Sequence, residues 1–145
     1  MESVMGLSFS TRESKDTFTI LNIYGPYLDK RPFWENLVNN PIMGESLLIL
    51  GGDLNSTLGH AEVWGPHARV DPLSAFFSKL LTDKNLLDIV PDRLRASWRN
   101  KILGEHWVAK RLDRFLIFES LFENQFLIRQ WVGSGGISDH FPIFM

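Results

Sequence analysis

The chain contains no cysteine. That removes disulfides, thiolate zinc sites and a cysteine nucleophile from consideration, and it gives no support to a secreted disulfide scaffold. Charge of one sign is also lacking: 15 Lys and Arg stand against 17 Asp and Glu, for a formal net charge of −2. A general nucleic-acid coat is strongly basic, so any contact with nucleic acid must rest on a local patch. Long apolar runs are missing too. The first residues, Met1-Glu2-Ser3-Val4, carry no basic segment followed by an apolar run, so no signal peptide is read, and no stretch is long enough to span a bilayer. The expectation is an intracellular protein, nuclear or cytoplasmic, with no membrane contact. There is no internal repeat, linker or low-complexity tract.

What is present is a globular composition. The 145 residues suit a single domain, 1–145, with enough chain to bury a core. Apolar residues make up 44% and charged residues 22%, which argues against disorder. Residues Thr17 to Tyr24, TFTILNIY, are β-branched and aromatic and stop at Gly25-Pro26, so they predict a strand. Leu7 to Ser10 predicts its partner, across a polar turn at Arg12 to Asp16. Pro32 to Asn39 predicts a short helix from the spacing of Phe33, Trp34, Leu37 and Val38. Ser46 to Leu50 is an apolar run ended by Gly51-Gly52, which suits a strand buried on both faces. Helical signals run from Asp71 to Asp88, with Asp71 as N-cap and Pro72 at the first position. The run Leu86 to Val90 ends at Pro91. Further short strands are expected at Ser97 to Asn100, Trp107 to Val108, Arg114 to Phe118 and Phe141 to Met145, with Gly133 to Gly136 as a loop. Strands mixed with helices in this order imply an α/β layered domain.

The residues able to do chemistry sit at strand ends. In GGDLN, Asp53 and Asn55 follow the buried strand; two apart on an extended chain, they face one side and form a hard oxygen pair for one ion or one water. The plain alternative is a Gly-Asp turn. In SDHFPI, Asp139 and His140 serve one site only at a strand end or bend; there Asp139 would be a hard metal ligand and His140 a donor to a phosphate oxygen. A turn residue beside a half-buried His is the alternative. In RLDRFL, Asp113 is placed to orient a histidine ring, or else to pair at the surface with Arg111 or Arg114. In NIYGP, Asn22 and Tyr24 share a strand face, where Tyr24 binds phosphate or simply packs.

Residues 93–114 form a basic stretch with Arg93, Arg95, Arg99, Lys101, Lys110, Arg111 and Arg114, interleaved with Trp98 and Trp107. Such a patch can track a phosphate backbone with Trp stacking on bases; a solvated hairpin with buried Trp is the alternative. Other motifs fail. Gly133 to Gly136 lacks the following Lys-Ser or Lys-Thr of a P-loop. His60 and His67 lack partner ligands for zinc. No Ser sits in a nucleophile elbow.

Taken in order, NIYGP, LILGGDLNSTL, DPLSAFFSKL, KRLDRFLI and GSGGISDHFPI resemble the endonuclease/exonuclease/phosphatase (DNase I-like) family. The likeness is nearest to the endonuclease domains of plant LINE-type (non-LTR) retrotransposons, and it runs from about Phe18 to the last residue. It implies a partial four-layer α/β sandwich, with two mostly antiparallel sheets flanked by helices. It also implies divalent-metal-dependent phosphodiester hydrolysis, with Mg²⁺ or Mn²⁺ as cofactor and DNA as substrate. By the same resemblance, Asp53 activates water or assists the metal, Asn55 fixes that water and assists the metal, and Tyr24 lies near the scissile phosphate. Asp139 is a metal ligand, His140 contacts the phosphate, Asp113 orients His140, and Asn22 supports. Apart from the resemblance, the basic stretch offers Arg95, Trp98, Arg99, Lys101, Arg111 and Arg114 as the expected nucleic-acid face. The departure is at the front: family members carry an Asn strand and a Glu metal ligand ahead of the NxY motif, and neither Glu2 nor Glu13 replaces that Glu. The expectations are missing N-terminal strands, weakened metal binding, weak or absent activity, and self-association through uncovered sheet edges. The alternative function is a non-catalytic retroelement remnant that keeps a nucleic-acid- or partner-binding surface.

Overall fold

The computed structural model describes residues 3–10, 12, 16–123 and 127–145. In chain order the strands are β1 (Ser3–Ser10), β2 (Thr17–Tyr24), β3 (Leu48–Asp53), β4 (Val63–Trp64), β5 (Leu86–Asp88), β6 (Trp98–Arg99), β7 (Ala109–Lys110), β8 (Asp113–Phe118), β9 (Trp131–Val132) and β10 (Ile143–Phe144). The helices are α1 (Lys30–Val38), α2 (Ser74–Asp83) and α3 (Glu119–Glu123). The turn expected at Arg12 to Asp16 lies mostly outside the described residues.

The β-branched segment TFTILNIY forms β2, and its burial alternates: Thr19, Leu21 and Ile23 are buried while Asn22 and Tyr24 are exposed. That alternation is the period of a strand with one face in a core. The five-stranded sheet runs β1-β2-β3-β8-β5. Only β2 and β3 pair in parallel there; β1, β8 and β5 pair antiparallel with their neighbours. A parallel pair needs a crossover, and α1 with the short 3₁₀ turn Pro41–Gly44 supplies it. β4, β7 and β6 make a separate three-stranded antiparallel sheet, and β9 and β10 a two-stranded one. The expectation of mostly antiparallel sheets flanked by helices therefore holds.

One face of the large sheet carries Leu21, Ile23, Leu48, Leu50 and Leu116 onto α1 and α2, where Trp34, Leu37, Phe77 and Leu81 complete the main core. Trp34 and Phe77 rings lie 4.9 Å apart between the two helices. The opposite face packs Ile49 and Ile117 on Leu121 of α3, with Phe18, Ile20 and Phe115 half-buried around them. All of β1 is exposed, with Met5 at 67% and Leu7 at 65%.

Some expected boundaries shift. α2 begins at Ser74, because Asp71 closes the preceding turn: its side chain accepts the Leu73 N–H (2.9 Å) and its carbonyl the Ser74 N–H (2.9 Å). The strand expected at Trp107 to Val108 forms instead at Ala109–Lys110, where β7 pairs with both β4 and β6.

Two members of the expected nucleic-acid face are corrected here. Arg111 and Arg114 are each 0% exposed. Arg111 lies across Glu62 (2.7 Å) and Asp88 (2.5 and 2.8 Å), and Arg114 across the same two carboxylates (2.8 to 3.1 Å). Two guanidinium groups inside a domain require such partners, since buried charge is tolerated only when paired and hydrogen-bonded. Arg114 also donates to the carbonyls of Ser56 (2.9 Å) and Arg111 (3.1 Å). The network thus joins the loop after β3 to β5 and to the start of β8. Burial works against ionisation of Glu62, but the hydrogen bonds and charge of Arg114, with the Leu58 N–H and Arg111, outweigh it and hold the carboxyl below its usual range.

Candidate active site

Strand register assembles the site. Tyr24 of β2 pairs with Asp53 of β3, and Asp53 pairs with Asp113 of β8. Residues from NIYGP, GGDLN and RLDRFL therefore fall in one row across adjacent strands. Asn22 is two pairs further in, opposite Gly51, and Gly51 is opposite Phe115. A side chain at Gly51 would meet the Phe115 ring at 2.5 Å, so glycine is what lets that ring lie over the strand.

The fourth motif arrives through β6. Trp98 forms a bridge with His140, the Arg99 N–H donates to the Asp139 carbonyl (3.0 Å), and the Phe141 N–H donates to the Ser97 carbonyl (2.7 Å). Ser97 is fully buried, and its hydroxyl oxygen accepts the N–H groups of Leu112 (2.9 Å) and Asp113 (2.8 Å). One serine thus ties the Asp113 backbone to the segment bearing His140. The result is a contact 27 residues apart in sequence: His140 Nδ1 lies 2.9 Å from Asp113 Oδ2. His140 Nε2 points the other way, 3.7 Å from Asp53 Oδ2.

Asp53 is held in a costly state. Burial, and then repulsion from Asp113, raise its pKa above the ordinary carboxylate range, against the Asn55 N–H and the charges of His140 and Lys30. A carboxyl so perturbed in a cleft is a common mark of functional chemistry. Asn55 does not reach the site by strand alternation. It lies beyond the end of β3 in a left-handed conformation, φ 49. Its N–H donates to Asp53 Oδ1 (3.0 Å) and its Nδ2 to the Gly25 carbonyl (2.8 Å). Gly25 cannot be larger, because a Cβ there would lie 2.5 Å from the Leu54 carbonyl oxygen.

Tyr24, Asp53, Asn55, Asp139 and His140 line one cleft of about 900 Å³. Three cations outside every motif also line it, Lys30, Arg31 and Arg69, together with Lys110 of the basic stretch. Asp139 is exposed, and its carboxylate accepts a hydrogen bond from Trp98 Nε1 at 3.0 Å, which first among its surroundings holds its pKa below the usual value. Neighbours Trp98 and Arg99 serve different hollows. Trp98 lines the cleft, while Arg99 joins Arg95, Lys101, Trp107 and Phe141 in a second groove of about 610 Å³. There the Arg99 guanidinium lies 5.3 Å from the Phe141 ring centroid.

Among the described residues, the group able to surround a cation is Asp53, Asp113 and His140, whose ligand atoms lie within 4.8 Å of one another. Carboxylate oxygens suit a hard cation such as Mg²⁺ or Mn²⁺, so the donor chemistry fits. The ring of His140 is already engaged by Asp113, which leaves Asp53 as the carboxylate freest to take a cation.

The fold is similar to that of a retrotransposon endonuclease domain. The match is to the endonuclease domain of TRAS1, a telomere-specific non-LTR retrotransposon, with a TM-score of 0.75 and 17% sequence identity over 97% of this chain. It extends over 61% of that domain's chain. No family model matches the sequence, and no curated protein does. The mixed α/β, DNase I-like architecture expected from the motifs is thus observed. At this identity the likeness speaks for the fold, and the chemistry must be argued from the site.

Proposed function

We propose that this chain is a divalent-metal-dependent phosphodiester-cleaving domain acting on DNA, with low turnover. The observation that carries the reading is the Asp113–His140–Asp53 constellation at the floor of a cleft with cationic walls. In its support stands the fold likeness to a retrotransposon endonuclease domain.

In this reading the cleft takes a backbone phosphate. Asp113 holds the imidazole through Nδ1, which leaves Nε2 to donate to a phosphate oxygen as negative charge builds there. Asp53, with its raised pKa, is suited to accept a proton from the attacking water, and Asn55 orients that water from the adjoining turn. Tyr24, half-exposed at the rim, contacts the phosphate beside it. Asp53, with Asn55 or Asp139, would hold a Mg²⁺ or Mn²⁺, which would supply Lewis-acid polarisation of a phosphoryl oxygen. Low turnover follows from the donor set: Asp113 is committed to His140 and Asp139 to Trp98, so few carboxylates remain for a cation that favours them. Arg95, Arg99 and Lys101, all exposed, and Trp98 in the cleft track the flanking strand. The exposed edge strand β1 is the surface through which copies associate at high concentration, and sedimentation across a concentration series measures that.

The test is nicking of supercoiled plasmid by purified protein with Mg²⁺ or Mn²⁺ and with chelator. Slow metal-dependent nicking that Asp53→Ala abolishes is expected. DNA binding without any nicking would instead leave a non-catalytic nucleic-acid-binding remnant.

A further inference from the structure

Lys30 opens α1 shortly after NIYGP but outside every motif, and its side chain is only 15% exposed and lines the cleft. Its ammonium donates to the Asn55 carbonyl at 2.5 Å and forms an ion pair with Asp71. Asp71 is itself fixed by the turn ahead of α2, whose Leu73 and Ser74 N–H groups it accepts. A chain of contacts therefore runs from that turn through Asp71 and Lys30 to Asn55, and from the Asn55 N–H to Asp53.

Asn55 is where this matters. Its φ of 49 lies in the left-handed region, which asparagine enters more readily than most residues but still against the extended or right-handed alternatives. Such conformations persist when the surroundings over-determine them. The surroundings here are three: the Asp53 carboxylate on the N–H, the Gly25 carbonyl on the side chain, and Lys30 on the carbonyl. Without the last, the Asn55–Ser56 peptide is free to turn its carbonyl elsewhere, and the N–H bond to Asp53 turns with the residue.

We infer that Lys30 is a positioning residue that locks Asn55 in its left-handed conformation and so sets the geometry of the Asp53–Asn55 pair. The consequence for catalysis rests on the phosphodiesterase reading above; the conformational claim does not. The first measurement is therefore spectroscopic. Backbone assignment of the wild type, Lys30→Met and Lys30→Arg by NMR reports Asn55 through its Cα shift and its HN–Hα coupling, both of which change with the sign of φ. The wild type should show the positive-φ signature. Lys30→Met should lose it, with β3 and β8 resonances otherwise in place, and Lys30→Arg should retain it in large part. Should Lys30→Met not fold, Asp71→Asn tests the same chain by freeing the ammonium from its anchor, and a partial loss of the signature is expected. An unchanged Asn55 in the folded variant overturns the inference.

Cleavage supplies the second arm. Lys30→Met should lower kcat about tenfold or more with KM changed less than about threefold, as for an interaction that acts in the transition state. In an Asn55→Ala background the same substitution should add less than about twofold, because residues acting through one another are not additive. Full additivity would mean that Lys30 is no more than an ion-pair partner of Asp71. A protein that cleaves nothing, yet shows the NMR change, would sink the nuclease reading and leave Lys30 as the lock on Asn55.

Discussion

His140 Nδ1 lies 2.9 Å from Asp113 Oδ2, so the ring nitrogen that faces the cleft is Nε2. A carboxylate in this position keeps the imidazole in one tautomer and one orientation. Asp113→Asn keeps the shape and removes that control. Plasmid nicking should fall by about a hundredfold or more, with circular dichroism unchanged. Nicking within about threefold of wild type would show that the pair does not act in the chemistry.

Asp53 makes a pH prediction of opposite sign to that of Glu62. Its folded pKa is raised by burial and by Asp113, so the folded state holds its proton more tightly than the unfolded chain does. Where the folded state binds more protons, stability falls as pH rises. The loss begins near the ordinary carboxylate value and is complete above the raised one. Asp53→Asn removes the charge and can keep the oxygen that accepts the Asn55 N–H. It should therefore raise the denaturation midpoint at pH 7, gain little at pH 3, and abolish nicking. Equal effects at both pH values would contradict the strained state assigned to Asp53.

The site was legible in the sequence to the extent that its motifs end strands. Tyr24, Asp53 and Asp113 form a row because NIYGP, GGDLN and RLDRFL each close or open a strand of the large sheet. The buried run Leu48 to Leu50 was equally plain, since a central strand covered on both faces reads as continuous apolar sequence. Arg111 and Arg114 misled because charge clusters usually mark surface. Their partners Glu62 and Asp88 lie 49 and 23 residues from Arg111, and only the tertiary fold brings the four together. Lys30 stands 25 residues from Asn55 and has no local pattern at all. Ser97 was likewise silent, because a buried hydroxyl that accepts two backbone N–H groups has no sequence period.

Cation binding separates Asp53 from Asp139. The cluster of candidate ligands contains Asp53, whereas the Asp139 carboxylate is exposed and engaged by Trp98. Titration with Mn²⁺ or Mg²⁺ should raise the thermal midpoint saturably, because a ligand that binds only the folded state stabilises it by mass action. Asp53→Asn should abolish the shift, and Asp139→Ala should weaken it without removing it. A shift untouched by Asp53→Asn would move the cation away from this cluster.

The buried quartet of Glu62, Asp88, Arg111 and Arg114 makes the strongest stability prediction. Replacing Arg114 with Met leaves both buried carboxylates short of a partner. Breaking a buried pair in this way costs about 3 to 5 kcal/mol, a large share of the stability of a domain this size. Glu62→Gln should cost less, because the amide oxygen still accepts from the guanidinium groups. Its effect should also depend on pH. The Glu62 pKa is lowered in the fold, so its contribution is present above the ordinary carboxylate range and is lost as pH falls through the depressed value. Urea denaturation at pH 7 and down an acid series reads both effects: the gap between wild type and Glu62→Gln at pH 7 should narrow as pH falls through the depressed value. Because Arg114 also holds the Ser56 carbonyl beside Asn55, variants that still fold should lose nicking in proportion to lost stability. A folded, stable Arg114→Met protein would refute the network's role in joining the two limbs of the site.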